Sequence, residues 1–562
     1  MISRVRIFQA LVTAVLAAGV VLADPLPASA DDPHVLPLDP VTFEELGAIL
    51  QLYVPPTHSV QAADPTASAR CGPAAPEPVP DGEPIVVTIG SAEPFTVGKI
   101  DAATWRNPPV KDPSWRLNFQ GLMWMRPLAR RAAQDGQSQS LAALVAQAVD
   151  FHRDDPDPET STSGWDEGSA LRRLETESCL YSLTQAVELI PGMTDDAAVL
   201  LGSRYYGPPN SPVHNHGLMA NLQLVRAGDL LGMSLWTDTA VERMAAEAPL
   251  AFSRAGLAYE QSSGYQGVNA ALWERAAAVL GDSPGTVATA DELMKTVAKA
   301  WVAYSWETEP DGKIVQIGDS EEQPGQVGTL TTPRVLRDDQ TGHVIGRWSW
   351  TDPLTSYYTI RYGPPRRAHG HEDRAGGVTW TTMGTRVLVG PGKFTYDKES
   401  PWYVWMISPT SHNVAVPDKG TVRLGQTAKL TAAKVQAPAH AWTFTDTIYN
   451  TPHTRNINVN RDTRRIRVSD SFPKSALWRQ HWHLAPGWTQ TSGKVNGTTL
   501  TFGHPSGRKL TVTTTGRVSG ILEAQTNPIN GWHFPTAGVM TPGPQIVVRS
   551  YRRSSITTFT VK

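Results

Sequence analysis

Cysteine and charge are both scarce in this 562-residue chain: it has two cysteines, and 18% of its residues are charged. Typical domains carry roughly 25% charged residues. So few cysteines exclude a small disulfide-framework fold and a cysteine-rich metal cluster. A formal net charge of −3 gives no global attraction for nucleic acid or acidic membranes. Beyond the N-terminus no apolar run is long enough to cross a bilayer, and neither a sequence repeat nor a low-complexity tail is visible.

Residues 1–30 read as a secretory signal peptide. Arg4 and Arg6 precede the apolar run Ile7 to Val21, which is shorter than the ~20 residues of a membrane span. Ala28-Ser29-Ala30 then offers a cleavage point; an uncleaved anchor is the alternative. Cleavage would remove two arginines and one aspartate, leave a charge of −4, and release a secreted protein with no membrane partner. In oxidising surroundings Cys71 and Cys179 are expected to form one disulfide, with two buried thiols as the alternative.

The chain is too long for one core. Residues 31–114 are rich in Pro and Ala and read as an extended lead-in, with one short helical stretch at Phe43 to Tyr53. Over 115–308 apolar residues recur at helical spacing: Leu141, Leu144, Val145 and Val149 form one stripe, and Leu171, Leu174, Leu180 and Leu183 another. Further runs follow at 197–201, 218–230, 239–253, 267–280 and 289–304, and so many helices joined by short loops describe a helical array or toroid. Residues 309–340 are polar and Gly-rich and read as a linker. From 341 to 562 strand-like runs dominate, among them 343–350, 356–362, 377–389, 464–468, 498–502, 509–514 and 545–551. The expected fold class is therefore α+β, a helical toroid followed by an antiparallel β-sandwich.

Three short phrases could carry chemistry. A helical pattern starts after the Pro-rich stretch Tyr205 to Pro212, so His214-Asn215-His216 falls near a helix N-terminus, where amides and backbone N–H groups receive anions. A capping Asn between two satisfied histidines is the plainer reading. Glu260-Gln261-Ser262-Ser263-Gly264-Tyr265 is an inter-helix loop phrase; a catalytic phenol there would need its pKa, normally about 10, lowered by a nearby cation or imidazole, and Tyr265 could equally be a packing aromatic. His369-Gly370-His371-Glu372-Asp373 has the alternation that lets two imidazoles on one strand converge on a single atom, with His412-Asn413 on a later strand-like segment as a third contributor. A surface histidine pair is the alternative. Eighteen tryptophans lean toward sugar stacking, with Trp165, Trp402 and Trp405 as exposed candidates, although core filling explains most.

Taken together, these phrases resemble the heparinase II/III-like polysaccharide lyases. The match rests on Asn215-His216, on Glu260, Ser262 and Tyr265, and on Trp165 with Ala170-Leu171-Arg172 and Glu175. It continues through His369 to Asp373, Leu388-Val389-Gly390-Pro391-Gly392, Tyr396, Ser411-His412-Asn413-Val414 and the closing segments near Trp482 and Phe559. The resemblance covers roughly 120–562 and implies β-elimination on a polysaccharide containing uronic acid. Asn215 would neutralise the substrate carboxylate with support from His216, and Tyr265 would protonate the leaving oxygen. Tyr265 or His369 would take the C5 proton. Arg172, Glu260, Arg366 and Tyr396 would bind substrate.

The family's zinc site would match His371 and His412, but Gly390 stands where the family has Asp. That change weakens a divalent site unless Asp373 or water substitutes, so no cofactor is established and zinc or another divalent ion is the one suggested. The expected partner is an acidic polysaccharide. Two other classes stay open: a toroid glycoside hydrolase, for which Glu167, Glu175 and Glu260 offer carboxylates but no selected pair, and a non-catalytic glycan-binding protein.

Overall fold

The computed structural model describes residues 71–562 except 91, 159–163, 203–214, 283–284, 327, 329–333 and 474–476. The signal peptide expected over 1–30, the helix expected at Phe43 to Tyr53 and the Pro-rich loop expected at Tyr205 to Pro212 fall outside the described residues.

The helical half comprises α1 (Ala102–Arg106), α2 (Pro113–Gln120), α3 (Met125–Gln134), α4 (Ser138–Asp154), α5 (Glu167–Thr184), α6 (Ile190–Leu201), α7 (Asn215–Leu231), α8 (Ser234–Ala251), α9 (Ser263–Gly281) and α10 (Val287–Trp306). Local chemistry sets several starts: the Asp166 side chain accepts from the Ser169 N–H, and Ser262 accepts from the Tyr265 N–H. Successive helices pair, and α7 also packs on both α5 and α9, forming the inner layer. That layer explains why α9 buries most of its circumference, including Tyr265, Leu272, Trp273 and Ala276.

The segment read as an extended lead-in is part of this core. Val86–Val87 pairs antiparallel with Phe95–Thr96, and Ile85, Val87, Val97, Ile100 and Trp105 are buried in the same cluster as Leu144 and Leu174. Cys71 and Cys179 are joined by a disulfide, with Cα atoms 4.9 Å apart, which fastens the start of this stretch to α5.

The second half is a two-layer antiparallel sandwich. One layer has eight strands, in spatial order 489–492, 499–503, 509–514, 554–561, 465–471, 453–460, 439–446 and 429–435. Strict in–out alternation along Ala439–Asp446 and Ser554–Val561 gives it one core face. The other layer joins a five-stranded sheet (Val335–Asp338, His343–Arg347, Tyr357–Arg361, Gly377–Thr382, Thr385–Leu388) to a four-stranded one through a bridge between Leu388 and Leu484. Trp380, Trp482, Ile466 and Phe559 fill the space between the layers. The run 377–389 is a hairpin rather than one strand: Met383 and Gly384, both at positive φ, turn the chain.

Residues 309–323 do more than link the halves. Ile314 to Glu321 are buried, and Glu309 pairs with Arg386 at 2.6 Å. This strip lies between the start of α9 and the loop carrying His369.

Candidate active site

The centre of the site is the first turn of α9, where Ser262 caps the helix and places Tyr265 inward; Tyr265 is thus helical rather than in a loop. Gln261, just before the cap, takes a left-handed backbone (φ 61), as does Ala368 (φ 38) beside His369. Non-glycine residues hold such angles only when their surroundings enforce them, and they gather at functional sites. Here the enforcement is visible. The Gln261 amide donates to the Pro365 carbonyl at 3.1 Å and accepts from the Arg367 N–H at 2.9 Å, clamping the His369 loop onto the toroid. Asp319 N–H donates to the His369 carbonyl at 2.8 Å, and Ser262 Oγ donates to the Asp319 carbonyl at 2.9 Å. Gly318 has no alternative: a Cβ there would lie 2.5 Å from the His369 oxygen.

His369 and His371 sit in the loop between strands 357–361 and 377–382, not on a strand. They do converge, on the two oxygens of one carboxylate: His369 Nδ1 is 3.0 Å from Asp319 Oδ2, and His371 Nε2 is 2.9 Å from Asp319 Oδ1. Burial alone would raise the Asp319 carboxyl, but hydrogen bonds from both imidazoles outweigh it and hold the group well below the usual carboxylate range. An ionised carboxylate only accepts, so Nδ1 of His369 is the donor to Asp319 and Nε2 points away from it. The His369 ring stacks on Tyr265 with centroids 3.4 Å apart and planes 6° apart. Tyr265 Oη is 3.0 Å from Tyr396 Oη. Burial pushes the Tyr265 phenol well above its ordinary value, against the Tyr396 hydrogen bond and with the help of Glu260 and Asp319. The shift is upward, not the lowering expected of a catalytic phenol, because burial dominates, and Tyr265 is a proton donor at rest.

Glu260 is half-buried, but its Oε2 is closed off from solvent without a hydrogen-bond partner, and burial raises its carboxyl against the pull of His369. Tyr396 stands edge-on to His369, with ring centroids 6.0 Å apart, and Lys393 Nζ is 4.6 Å from its ring. Arg366 is tied down locally, with Nε donating to the Gly370 carbonyl at 2.5 Å and Nη2 to Tyr403 Oη at 3.1 Å.

Asn215 and His216 open α7, which packs against α9. Asn215 is buried and its Oδ1 accepts from the His216 N–H at 3.0 Å. The turn at Gly232 and Met233 reverses the chain into α8, and an antiparallel bridge between Phe252 and Ala258 reverses it again before α9. One turn into α7, Met219 Sδ meets Arg172 Nη2 at 3.9 Å. Arg172 belongs to a cationic cluster around the buried Glu175, which is 3.2 Å from Arg172 and 2.8 Å from Arg126. Burial alone would raise Glu175; Arg126, Arg172, Arg275 and Arg226 together bring it down to about 2. Four guanidinium groups thus act on this one carboxylate.

Two expectations change. Trp165 and Trp405 are buried, Trp165 under the Arg173 guanidinium and Trp405 against Phe534, so neither offers a face to sugar; Trp402 is half-buried among Phe394, Trp532 and Phe534. The second change concerns the metal. His371 Nδ1 is 3.2 Å from His412 Nε2, but His412 follows a short 3-10 turn rather than lying on a strand, and its Nδ1 is held by the Ser408 carbonyl. At Gly390 a Cβ would lie 2.4 Å from the Gln316 carbonyl oxygen, so no side chain fits there. Asp373, the substitute, is engaged by Arg361 at 3.5 Å, and Asp319 holds the far nitrogen of His371. Two imidazoles without a third ligand do not fit a divalent ion, and the buried Arg361 guanidinium supplies the positive charge in this part of the sandwich.

Asp319 and Gln261 are site residues that the motifs did not single out. Asp319 hides in Gly318-Asp319-Ser320 within a polar stretch that has no periodicity.

A helical toroid closed at one end by a two-layer β-sandwich, with a Tyr–His–Asp cluster at their junction, defines the class of protein. Residues 347–562 match the family described as Heparinase II/III-like, C-terminal, and the helical half that precedes them completes a toroid-plus-sandwich fold. Solved structures of the same fold include heparan sulfate lyase HepC from Pedobacter heparinus (TM-score 0.65, 15% identity, 91% of this chain and 85% of that one). A heparinase III gene product with methylated lysines (TM-score 0.69, 14% identity) covers 94% of this chain and 92% of its own. Another heparinase III crystal structure has TM-score 0.66 and 14% identity, with 81% and 78% covered. No curated protein sequence matches the chain.

Proposed function

We propose that this protein is a secreted polysaccharide lyase that cleaves an acidic, uronate-containing polysaccharide by β-elimination. The observation that carries the reading is the stack of neutral Tyr265 on His369, whose Nδ1 is fixed by Asp319. It sets a proton donor and a proton acceptor side by side at one end of the toroid, as elimination requires.

The C5 proton of a uronate is too weakly acidic to leave unless the adjacent carboxylate is neutralised. Asn215 and His216, at the first turn of α7, receive that carboxylate. His369 Nε2 takes the C5 proton, the electron pair forms the C4–C5 double bond, and the C4–O bond breaks. The Tyr265 phenol protonates the departing oxygen, and Tyr396 holds that phenol in place. The arginine cluster near Met219 attracts the polyanion. Glu260 and Arg366 act indirectly, the first on the charge of the stack and the second on the shape of the His369 loop. Among the described residues no helix is long and apolar enough to cross a membrane, and the disulfide suits an exported protein.

The test is a panel of uronic-acid polysaccharides followed by ultraviolet absorbance and by reducing-end assay. Both signals should rise together on an accepted substrate, since elimination leaves a double bond conjugated to the carboxylate. Reducing ends without absorbance would mean hydrolysis, and tight binding without either would mean a glycan-binding protein.

A further inference from the structure

A second set of ligating side chains lies inside the toroid, apart from the Tyr265–His369 stack. His152 ends α4, Glu177 lies midway along α5, and Asp196 is on α6. His152 Nε2 is 2.8 Å from Glu177 Oε1 and 3.9 Å from Asp196 Oδ2, and one ligand atom from each residue lies within 4.8 Å of the others. Glu177 and Asp196 are fully buried, yet Glu177 Oε2, Asp196 Oδ2 and His152 Nδ1 have no hydrogen-bond partner among the described residues. Buried polar atoms of this kind are rare and call for a group that satisfies them.

The surroundings are built to aim these atoms. Arg173 binds the other oxygen of Asp196, Oδ1, and its Nη1 donates to the carbonyls of Gln120 and Gly164 at 3.1 and 2.7 Å. Its guanidinium packs 4.0 Å from the Phe151 ring and 4.5 Å from Trp165, so the cation is fixed and leaves Oδ2 turned toward His152. Gly192 supplies the room: a Cβ there would stand 2.5 Å from His152 Cδ2 and 2.6 Å from Nε2.

We propose that His152, Glu177 and Asp196 bind one divalent first-row transition ion of the zinc class, tying α4, α5 and α6 together. One imidazole nitrogen and two carboxylate oxygens suit such an ion, whereas calcium prefers oxygen ligands alone. The Arg173–Asp196 pair is the outer hydrogen bond that orients a ligating carboxylate. The ion would brace the toroid wall next to Cys179, where the disulfide already anchors α5.

The experiment loads the full chain with zinc, dialyses it, and measures metal content and melting temperature for the natural protein and for Glu177→Gln, Asp196→Asn and His412→Ala. About one zinc per chain is expected in the natural protein and in His412→Ala, with a melting temperature a few degrees above that of the chelator-treated form. Glu177→Gln and Asp196→Asn should retain none and show no zinc-dependent shift. Zinc bound by neither the natural protein nor His412→Ala would overturn the proposal. So would zinc kept by Glu177→Gln and lost by His412→Ala, which would move it to the histidine pair of the sandwich. If the two carboxylate variants fail to fold, the natural protein decides alone: no retained zinc and an unchanged melting temperature would refute the site.

Discussion

Replacing Asp319 by Asn tests the origin of the histidine's basicity. The carboxylate accepts from His369 Nδ1 at 3.0 Å and from His371 Nε2 at 2.9 Å. An amide has one oxygen, so it can accept from only one imidazole and must present N–H to the other. Hydrogen bonds to a charged group contribute about 1.5–3 kcal/mol each, so the loop loses several kcal/mol of orientation locally. If the amide N–H meets His369, its Nδ1 becomes the acceptor and the proton moves to Nε2, which can then no longer take a proton from substrate. Positioned general-base catalysis accounts for roughly 10²–10⁴-fold in rate, or about 3–5.5 kcal/mol of barrier. The assay is turnover by ultraviolet absorbance on an accepted polysaccharide, together with nitrogen NMR of the His369 ring. A fall in turnover of at least about 100-fold, with the ring proton shifted to Nε2, is expected. Turnover within about threefold of the natural protein, at any melting temperature, would refute the carboxylate's role.

Other parts of the structure carry their own expectations. His453 is buried between Asp446 at 2.8 Å and Asp470 at 2.9 Å, and these partners outweigh its burial and raise it from 6.5 to about 9. Its contribution is therefore fully present below pH 6.5 and is lost as pH rises through about 9, a difference of about 3 kcal/mol relative to His453→Gln, readable by denaturant unfolding at pH 6 and 9.5. Removing the disulfide, which spans 108 residues, by Cys71→Ala with Cys179→Ala should cost about 2–4 kcal/mol of stability in the same assay. Gly390→Ala places a Cβ 2.4 Å from the Gln316 oxygen and should destabilise by about 1–3 kcal/mol. Gly390→Asp, although it restores the family's residue, should meet the same clash and gain no zinc at His371 and His412, as metal analysis would show.

The helices were legible because their apolar stripes are long: Leu171, Leu174, Leu180 and Leu183 lie on the buried side of α5. Strand runs were legible from alternation, but the turn at Met383 and Gly384 was not, since neither residue forms a strong turn dipeptide. Composition misled at 79–105, where Pro and Ala mask the spaced apolar residues Ile85, Val87, Ile100 and Trp105 that join the core. Spacing suggested that His369 and His371 share a partner, and they do, but sequence cannot say that the partner is Asp319, fifty residues earlier in a polar segment. The cluster of His152, Glu177 and Asp196 shows no motif because each residue comes from a different helix.

The central claim is that Tyr265 protonates the leaving group next to a histidine base, and Tyr265→Phe tests it most directly. The ring, its burial and its stack on His369 are retained while one hydroxyl is removed. Ultraviolet absorbance on an accepted uronic-acid polysaccharide should rise for the natural protein and fall by at least about 100-fold for the variant, with the melting temperature nearly unchanged. A variant that still generates the absorbance at the natural rate would contradict the account.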